Sequence, residues 1–140
     1  MSDDVKKVFI TYEEFSKMAD YLFRLLRGIK SFDYIVGIPR GGLPLAVHLS
    51  HNLNIPMVNF NLPIREDAKI ILVDDVLDTG KTMEETLEKY SHLNPYIVVL
   101  HWKPCSTVIP DAFVKHTTEW IVYPWERKDE KPNREMYKHL

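Results

Sequence analysis

Four aliphatic residues that run straight into two acids constrain this chain more than any other feature: Ile70-Ile71-Leu72-Val73-Asp74-Asp75, followed by Val76-Leu77-Asp78-Thr79-Gly80-Lys81-Thr82. Large aliphatics without polar alternation suit a central parallel strand covered on both faces. Charged groups directly after such a run must stand at the rim of the sheet, where open α/β sheets bind their ligands. Beyond the acids, Met83, Thr86, Leu87 and Tyr90 recur at helical spacing, and Thr82 with Glu85 is placed as a capping box. A loop entering a helix N-terminus presents backbone N–H groups to a phosphate.

The rest of the chain repeats this alternation. Thr11 to Glu14 is a capping box, and Phe15, Met18, Ala19, Leu22, Leu25 and Leu26 follow at three- and four-residue intervals, which predicts an amphipathic helix packed on the sheet. Tyr34 to Ile38 has the content of a short strand and stops at Pro39-Arg40-Gly41-Gly42, where paired glycines permit positive φ and close backbone approach. Pro44 to Leu53 reads as a helix with Leu45, Leu49 and Leu53 inward, before a strand at Met57 to Phe60 and a short polar connection, Asn61 to Ala68. Asn94-Pro95 turns the chain into an aliphatic strand, Tyr96 to His101, and Lys103-Pro104-Cys105-Ser106 then breaks regular structure. Ala112 to Lys115 and Trp120 to Tyr123 look like short extended pieces. Alternating strands and helices predict a mainly parallel sheet, so Arg40-Gly41-Gly42, Asp74 to Thr82 and Lys103 leave the carboxyl ends of neighbouring strands and can face one pocket.

Gly80-Lys81-Thr82 imitates the end of a nucleotide-binding P-loop, but the glycine that motif needs earlier falls on Asp75, whose carboxylate would repel a polyphosphate. The aliphatic strand, two acids, two further residues and Asp-Thr-Gly-x-Thr resemble instead the phosphoribosyl pyrophosphate (PRPP) signature of type I phosphoribosyltransferases. The chemistry agrees, because ribose hydroxyls want acceptor carboxylates while a 5-phosphate wants backbone donors and hydroxyls nearby. The resemblance implies that Asp74 and Asp75 hold the ribose hydroxyls, with Asp75 also at a Mg²⁺ ion. It implies that Thr79, Gly80, Lys81 and Thr82 grip the 5-phosphate, and that Asp78 faces the purine N7 as a proton-relaying group. The Arg40-Gly41-Gly42 turn resembles the family's pyrophosphate loop, in which backbone N–H groups and a basic side chain bind the leaving group.

Lys103-Pro104, then Asp111-Ala112-Phe113-Val114, then Trp120-Ile121 and Pro124-Trp125-Glu126 are similar to the carboxyl-terminal part of the xanthine-guanine phosphoribosyltransferases. In that family the lysine donates to O6 of a 6-oxopurine, the first tryptophan stacks on the base and the isoleucine backbone meets its far edge, which here assigns Lys103, Trp120 and Ile121. Trp125 reads as core. Two departures stand out: the mobile segment that precedes the acidic strand in those enzymes is cut here to Asn61–Ala68, and Val122 stands where some relatives carry an acid.

The expected fold is therefore α/β, a mainly parallel twisted sheet flanked by helices in the type I phosphoribosyltransferase manner, with a small base-binding carboxyl-terminal subregion. Residues 1–126 are expected to form a single domain and 127–140 a charged carboxyl-terminal tail. The expected activity joins a 6-oxopurine (guanine, xanthine or hypoxanthine) to PRPP, giving a nucleoside 5′-monophosphate and pyrophosphate in purine salvage. A PRPP- or nucleotide-binding regulator of the same fold is the alternative. A formal charge of −2 gives no general drive toward nucleic acid or anionic membrane. One cysteine, Cys105, excludes an intrachain disulfide, and the sequence shows neither a signal-peptide pattern nor a long apolar span, so a cytoplasmic protein is expected. Family resemblance adds a homo-oligomer, a dimer or tetramer.

Overall fold

The structure is a computed structural model that describes residues 6–29 and 31–128. Most of the expected charged tail lies outside the described residues. The described residues fall into two compact units, one within residues 16–118 and one that joins residues 6–15 to residues 119–128.

The larger unit holds a four-stranded parallel sheet in the order β2 (Tyr34–Gly37), β3 (Ile70–Leu77), β4 (Tyr96–Trp102), β5 (Lys115–His116). Helix α2 (Leu43–Leu53) connects β2 to β3, and α3 (Lys81–Tyr90) connects β3 to β4. Strand β3 is central, as its unbroken aliphatic run requires, and Ile70 to Val73 are all buried. Side chains alternate across the sheet. Val36, Ile38, Ile70 and Leu72 cluster with Met83 and Tyr90 of α3, which leaves Ile35, Gly37, Ile71 and Val73 to the face that α2 covers. A Cβ on Gly37 would stand 2.8 Å from that of Ala46, so the missing side chain lets α2 settle on β2.

Several expectations need correction. Met57 to Phe60 does not form a strand: Met57 makes a single parallel bridge to Ile35, and the chain turns away at Asn59 because Leu62 N–H donates back to its carbonyl. Ala112 likewise makes one bridge, to Val98, and regular pairing resumes only at β5. Leu25 is 41% exposed and lies off the inward face of its helix. Helix α3 begins at Lys81 with Gly80 as its N-cap, so the Thr82–Glu85 capping box does not form.

The smaller unit pairs β1 (Lys7–Phe9), which the sequence reading missed, in parallel with β6 (Trp120–Val122). The expected capping box at the start of α1 (Tyr12–Leu26) does form: Glu14 N–H donates to Thr11 Oγ1 at 3.0 Å and Thr11 N–H to Glu14 Oε1 at 3.1 Å. Helix α1 opens in this unit and its remainder belongs to the larger one, where Ala19, Leu22 and Leu26 are buried. Trp125 stacks on Tyr123, ring centroids 5.1 Å apart, and meets Phe15 edge-on at 4.9 Å. It is half-buried, and these ring contacts agree with its reading as a packing residue.

Candidate active site

Strand β3 does not end at its acids. Its pairing with β4 continues through Asp74↔Val99, Val76↔His101 and Leu77↔Trp102, whereas its pairing with β2 stops at Gly37↔Val73. Asp74 and Asp75 therefore sit on the strand, along a stretch with one edge paired and the other vacated. On the vacated edge the carboxylates satisfy their own backbone: Asp75 N–H donates to Asp74 Oδ1 at 2.8 Å and Val76 N–H to Asp75 Oδ1 at 2.7 Å.

The chain leaving β2 folds over that edge. Ile38 N–H donates to Val73 O at 2.8 Å, Gly42 N–H returns to Ile38 O at 2.9 Å, and the Pro39–Arg40 peptide bond is cis. A Cβ on Gly42 would collide with Val73 O, and one on Gly41 with the Asp75 carboxyl. These glycines supply close approach rather than positive φ, since Gly42 has φ −78°. Packing under the loop desolvates the Asp75 carboxyl and pushes it above the ordinary carboxylate range, although hydrogen bonds from Asp74 and the Val76 amide pull the other way. Arg40 stands exposed at the tip of this loop.

Beyond Leu77 the chain turns through Asp78 and Thr79 to Gly80, which takes φ +90° and starts α3. Lys81 N–H donates to Thr79 Oγ1 at 3.3 Å. Among the described residues Thr82 Oγ1 is buried with no hydrogen-bond partner, which leaves a hydroxyl for a ligand beside the helix N-terminus. Lys103, its side chain only 13% exposed, places Nζ 3.5 Å from Asp78 Oδ2. Arg40, Gly41, Gly42, Asp74, Asp75, Asp78 to Thr82 and Lys103 thus all belong to one rim of the larger unit. The turn from Cys105 to Thr107 packs against the Asp78–Gly80 loop, a contact the sequence reading missed because nothing marks those residues beyond turn composition.

Trp120 and Ile121 belong to the smaller unit. Trp120 N–H donates to Lys6 O at 3.1 Å and Ile10 N–H to Val122 O at 2.9 Å, so these two residues of β6 address β1. Backbone groups alternate sides along a strand, and the Ile121 N–H and C=O therefore point away from β1. That orientation suits the backbone contact assigned to Ile121.

A model of the phosphoribosyl transferase domain matches residues 5–130. The chain belongs to the phosphoribosyltransferase family. This phosphoribosyltransferase is similar to the crystal structure of a purine phosphoribosyltransferase from Pyrococcus horikoshii, with 37% identity and a TM-score of 0.80 over 91% of this chain and 99% of that one. A xanthine-guanine-hypoxanthine phosphoribosyltransferase from Helicobacter pylori matches with 26% identity and a TM-score of 0.75, over 86% and 93% of the two chains. The xanthine-guanine phosphoribosyltransferase of Idiomarina loihiensis is 26% identical over 86% of this chain and 88% of its own. The parallel sheet flanked by helices is the type I phosphoribosyltransferase fold.

Proposed function

We propose that this phosphoribosyltransferase acts on a 6-oxopurine, converting guanine, xanthine or hypoxanthine and PRPP to the nucleoside 5′-monophosphate and pyrophosphate in purine salvage. The observation that carries the reading is the Asp78–Lys103 pair, 3.5 Å apart, between the acids of β3 and the phosphate loop. The pair sets a cation and a carboxylate side by side. With one bound, the Lys103 ammonium donates to O6 and the Asp78 carboxylate accepts the N7 proton, so a single pair reads two adjacent atoms of an oxopurine. Adenine presents an amino donor to the same ammonium, a mismatch of about 1–3 kcal/mol.

A purine ring nitrogen bonds to C1 of the ribose as the bond from C1 to pyrophosphate breaks, and the departing proton passes toward Asp78. Catalysis is then mainly positioning and charge management. Asp74 and Asp75 accept from the ribose hydroxyls, Thr79 to Thr82 hold the 5-phosphate, and Arg40 with the Gly41–Gly42 backbone receives the pyrophosphate. On resemblance, Trp120 offers the stacking face for the purine and the Ile121 carbonyl favours the 2-amino group of guanine.

Mg²⁺ belongs to this reading. It takes hard oxygen ligands, typically one or two carboxylates together with substrate phosphates. Asp74 and Asp75 are adjacent carboxylates, and among the described residues no three His, Cys, Asp or Glu side chains gather as a metal cage. Such a donor set suits an ion that arrives with PRPP, Asp75 being its protein ligand, and when bound the ion supplies neutralising charge for the leaving pyrophosphate. Cytoplasmic placement and a homo-oligomer, dimer or tetramer, are part of the same reading, with no nucleic acid or membrane as partner. Among the described residues no helix is long and apolar enough to cross a membrane.

One observation favours the second reading, a regulator that binds PRPP or a nucleotide without efficient turnover. Arg65 of the shortened segment pairs with Asp33 at 3.0 Å and donates to Tyr34 Oη at 3.0 Å, while Asn61 N–H donates to Tyr90 Oη at 3.0 Å. Those partners lie at the amino end of β2 and the carboxyl end of α3, so the segment is held at the sheet end opposite the site and does not act as its lid. Turnover of purified protein with Mg²⁺, PRPP and each of guanine, hypoxanthine, xanthine and adenine decides between them. Product from the oxopurines with little from adenine is expected; PRPP binding without product establishes the regulator, and preferred turnover of adenine overturns the base assignment.

A further inference from the structure

Three successive carbonyls at the end of β3 and in the phosphate loop accept hydrogen bonds from alternate residues of the segment after β4. Lys103 N–H donates to Leu77 O at 2.9 Å, Cys105 Sγ to Asp78 O at 3.4 Å, and Thr107 to Thr79 O twice, from N–H at 2.9 Å and from Oγ1 at 3.3 Å. The β3–β4 ladder thus continues, irregularly, past both strand ends. The bracing segment is fixed in turn: Ser106 N–H donates to Lys103 O at 2.9 Å, while Ser106 Oγ donates to Val108 O at 2.9 Å and accepts from Val108 N–H at 3.2 Å.

A trans peptide points its N–H opposite its C=O, and the peptide bonds from Leu77 to Gly80 are trans. With the Leu77, Asp78 and Thr79 carbonyls turned toward the brace, the N–H groups of Asp78, Thr79 and Gly80 turn to the opposite side. Successive backbone N–H groups presented together form an anion-binding concavity. The fit is close: a Cβ on Gly80 would stand 2.6 Å from Thr107 Oγ1, 2.8 Å from Ser106 Oγ and 2.9 Å from Thr107 N.

We propose that Thr107 is a positioning residue for the 5-phosphate, acting through the Thr79 carbonyl to aim the Gly80 amide. This inference rests on the assignment of Thr79–Thr82 as the 5-phosphate loop. The same segment begins at Lys103, so one short stretch of chain sets the direction of the phosphate donors and anchors the cation assigned to the base.

The test is calorimetric titration of the full-length protein with ribose 5-phosphate and, separately, with inorganic pyrophosphate. Thr107→Val keeps the shape and the N–H but removes the hydroxyl, Thr107→Ser keeps both donors, and Thr107→Pro removes both. Ribose 5-phosphate should weaken roughly three- to tenfold in Thr107→Val and further in Thr107→Pro, while Thr107→Ser stays near wild type. Pyrophosphate, assigned to the Arg40–Gly42 loop, should bind equally to all four proteins. If Thr107→Pro fails to fold, Thr107→Val carries the test. Unchanged ribose 5-phosphate affinity in Thr107→Val overturns the proposal, as does an equal loss of both ligands, which would mark a merely structural role. Failure of the underlying assignment looks different: wild type would have no affinity for ribose 5-phosphate, or Thr82→Val would bind it unchanged.

Discussion

The loop after β2 and the loop after β3 both leave a parallel strand, both carry glycine and both enter a helix, yet their glycines answer different demands. Around Gly41 and Gly42 the constraint is space: side chains there would collide with the Asp75 carboxyl and with Val73 O, while the Gly42 backbone has an ordinary negative φ of −78°. At Gly80 the constraint is conformation as well as space, because φ is +90° and Ser106 and Thr107 press from the other side. The first loop is defined by what lies beneath it, an acid of the neighbouring strand. The second is defined by its own backbone and by an external brace. Space can be restored by trimming a neighbour, whereas a left-handed backbone cannot.

The largest effect is expected from Gly41→Ala, which drives a methyl group into the Asp75 carboxyl. Overpacking of this kind costs about 1–3 kcal/mol, and the upper end is expected because the obstacle is a short side chain on a central strand. Urea denaturation measures it. If the constraint is only space, the double variant Gly41→Ala/Asp75→Ala should recover most of the loss relative to Asp75→Ala alone, a strong coupling in a double-mutant cycle. Additive losses would break the comparison by showing that Gly41 answers a backbone demand too.

Gly80→Ala comes next, at about 1–2 kcal/mol from the left-handed backbone alone. Trimming the brace with Thr107→Gly should recover only the crowding that the Thr107 side chain causes and leave the backbone cost in place. Near-complete recovery, again by urea denaturation, would mean that the two loops obey the same rule.

The asymmetry between the loops also explains what could be read before folding. The order Asp74-Asp75-x-x-Asp78-Thr79-Gly80-x-Thr82 is local in sequence, so the strand, the loop and the residues to be gathered there were all legible, as were the Thr11–Glu14 box and the buried face of α1. Arg40-Gly41-Gly42 announced a tight turn, but the reason for its glycines lies more than thirty positions away, at Asp75, and no local pattern records it. The extension of β3 through its acids was hidden for the same reason: polar residues look like a strand end until β4 is known to pair alongside them. β1 was missed because three residues paired to the distant β6 carry almost no periodic signal, and the Thr107 brace because a serine and a threonine in a turn look like any turn. The Thr82–Glu85 box was a true local signal overridden by Gly80, whose conformation starts the helix two residues earlier.

The smallest effect on stability, and the most informative about the first loop, is expected from Asp75→Asn. Burial beneath Gly41 holds the Asp75 carboxyl above its ordinary value of 3.8, so between that pH and its raised folded value the native state binds more protons than the unfolded chain. Unfolding free energy from this group therefore falls as pH rises through that window and stays level above it. Asparagine keeps the shape and an acceptor for the Val76 amide but has nothing to ionise, so the variant should melt slightly higher than wild type at neutral pH and the difference should vanish at low pH. His101 must be separated from this effect. Burial lowers it from 6.5 to about 4, so its contribution is whole above pH 6.5 and is lost as pH falls toward 4, the opposite sense. Because both proteins share His101, the difference between their melting curves isolates Asp75. PRPP binding should be lost in the variant, since an amide cannot replace a carboxylate facing ribose hydroxyls and Mg²⁺. A variant that melts lower than wild type at neutral pH would show that the ionised Asp75 is stabilised where it stands, and the crowding assigned to Gly41 would then need another neighbour to explain it.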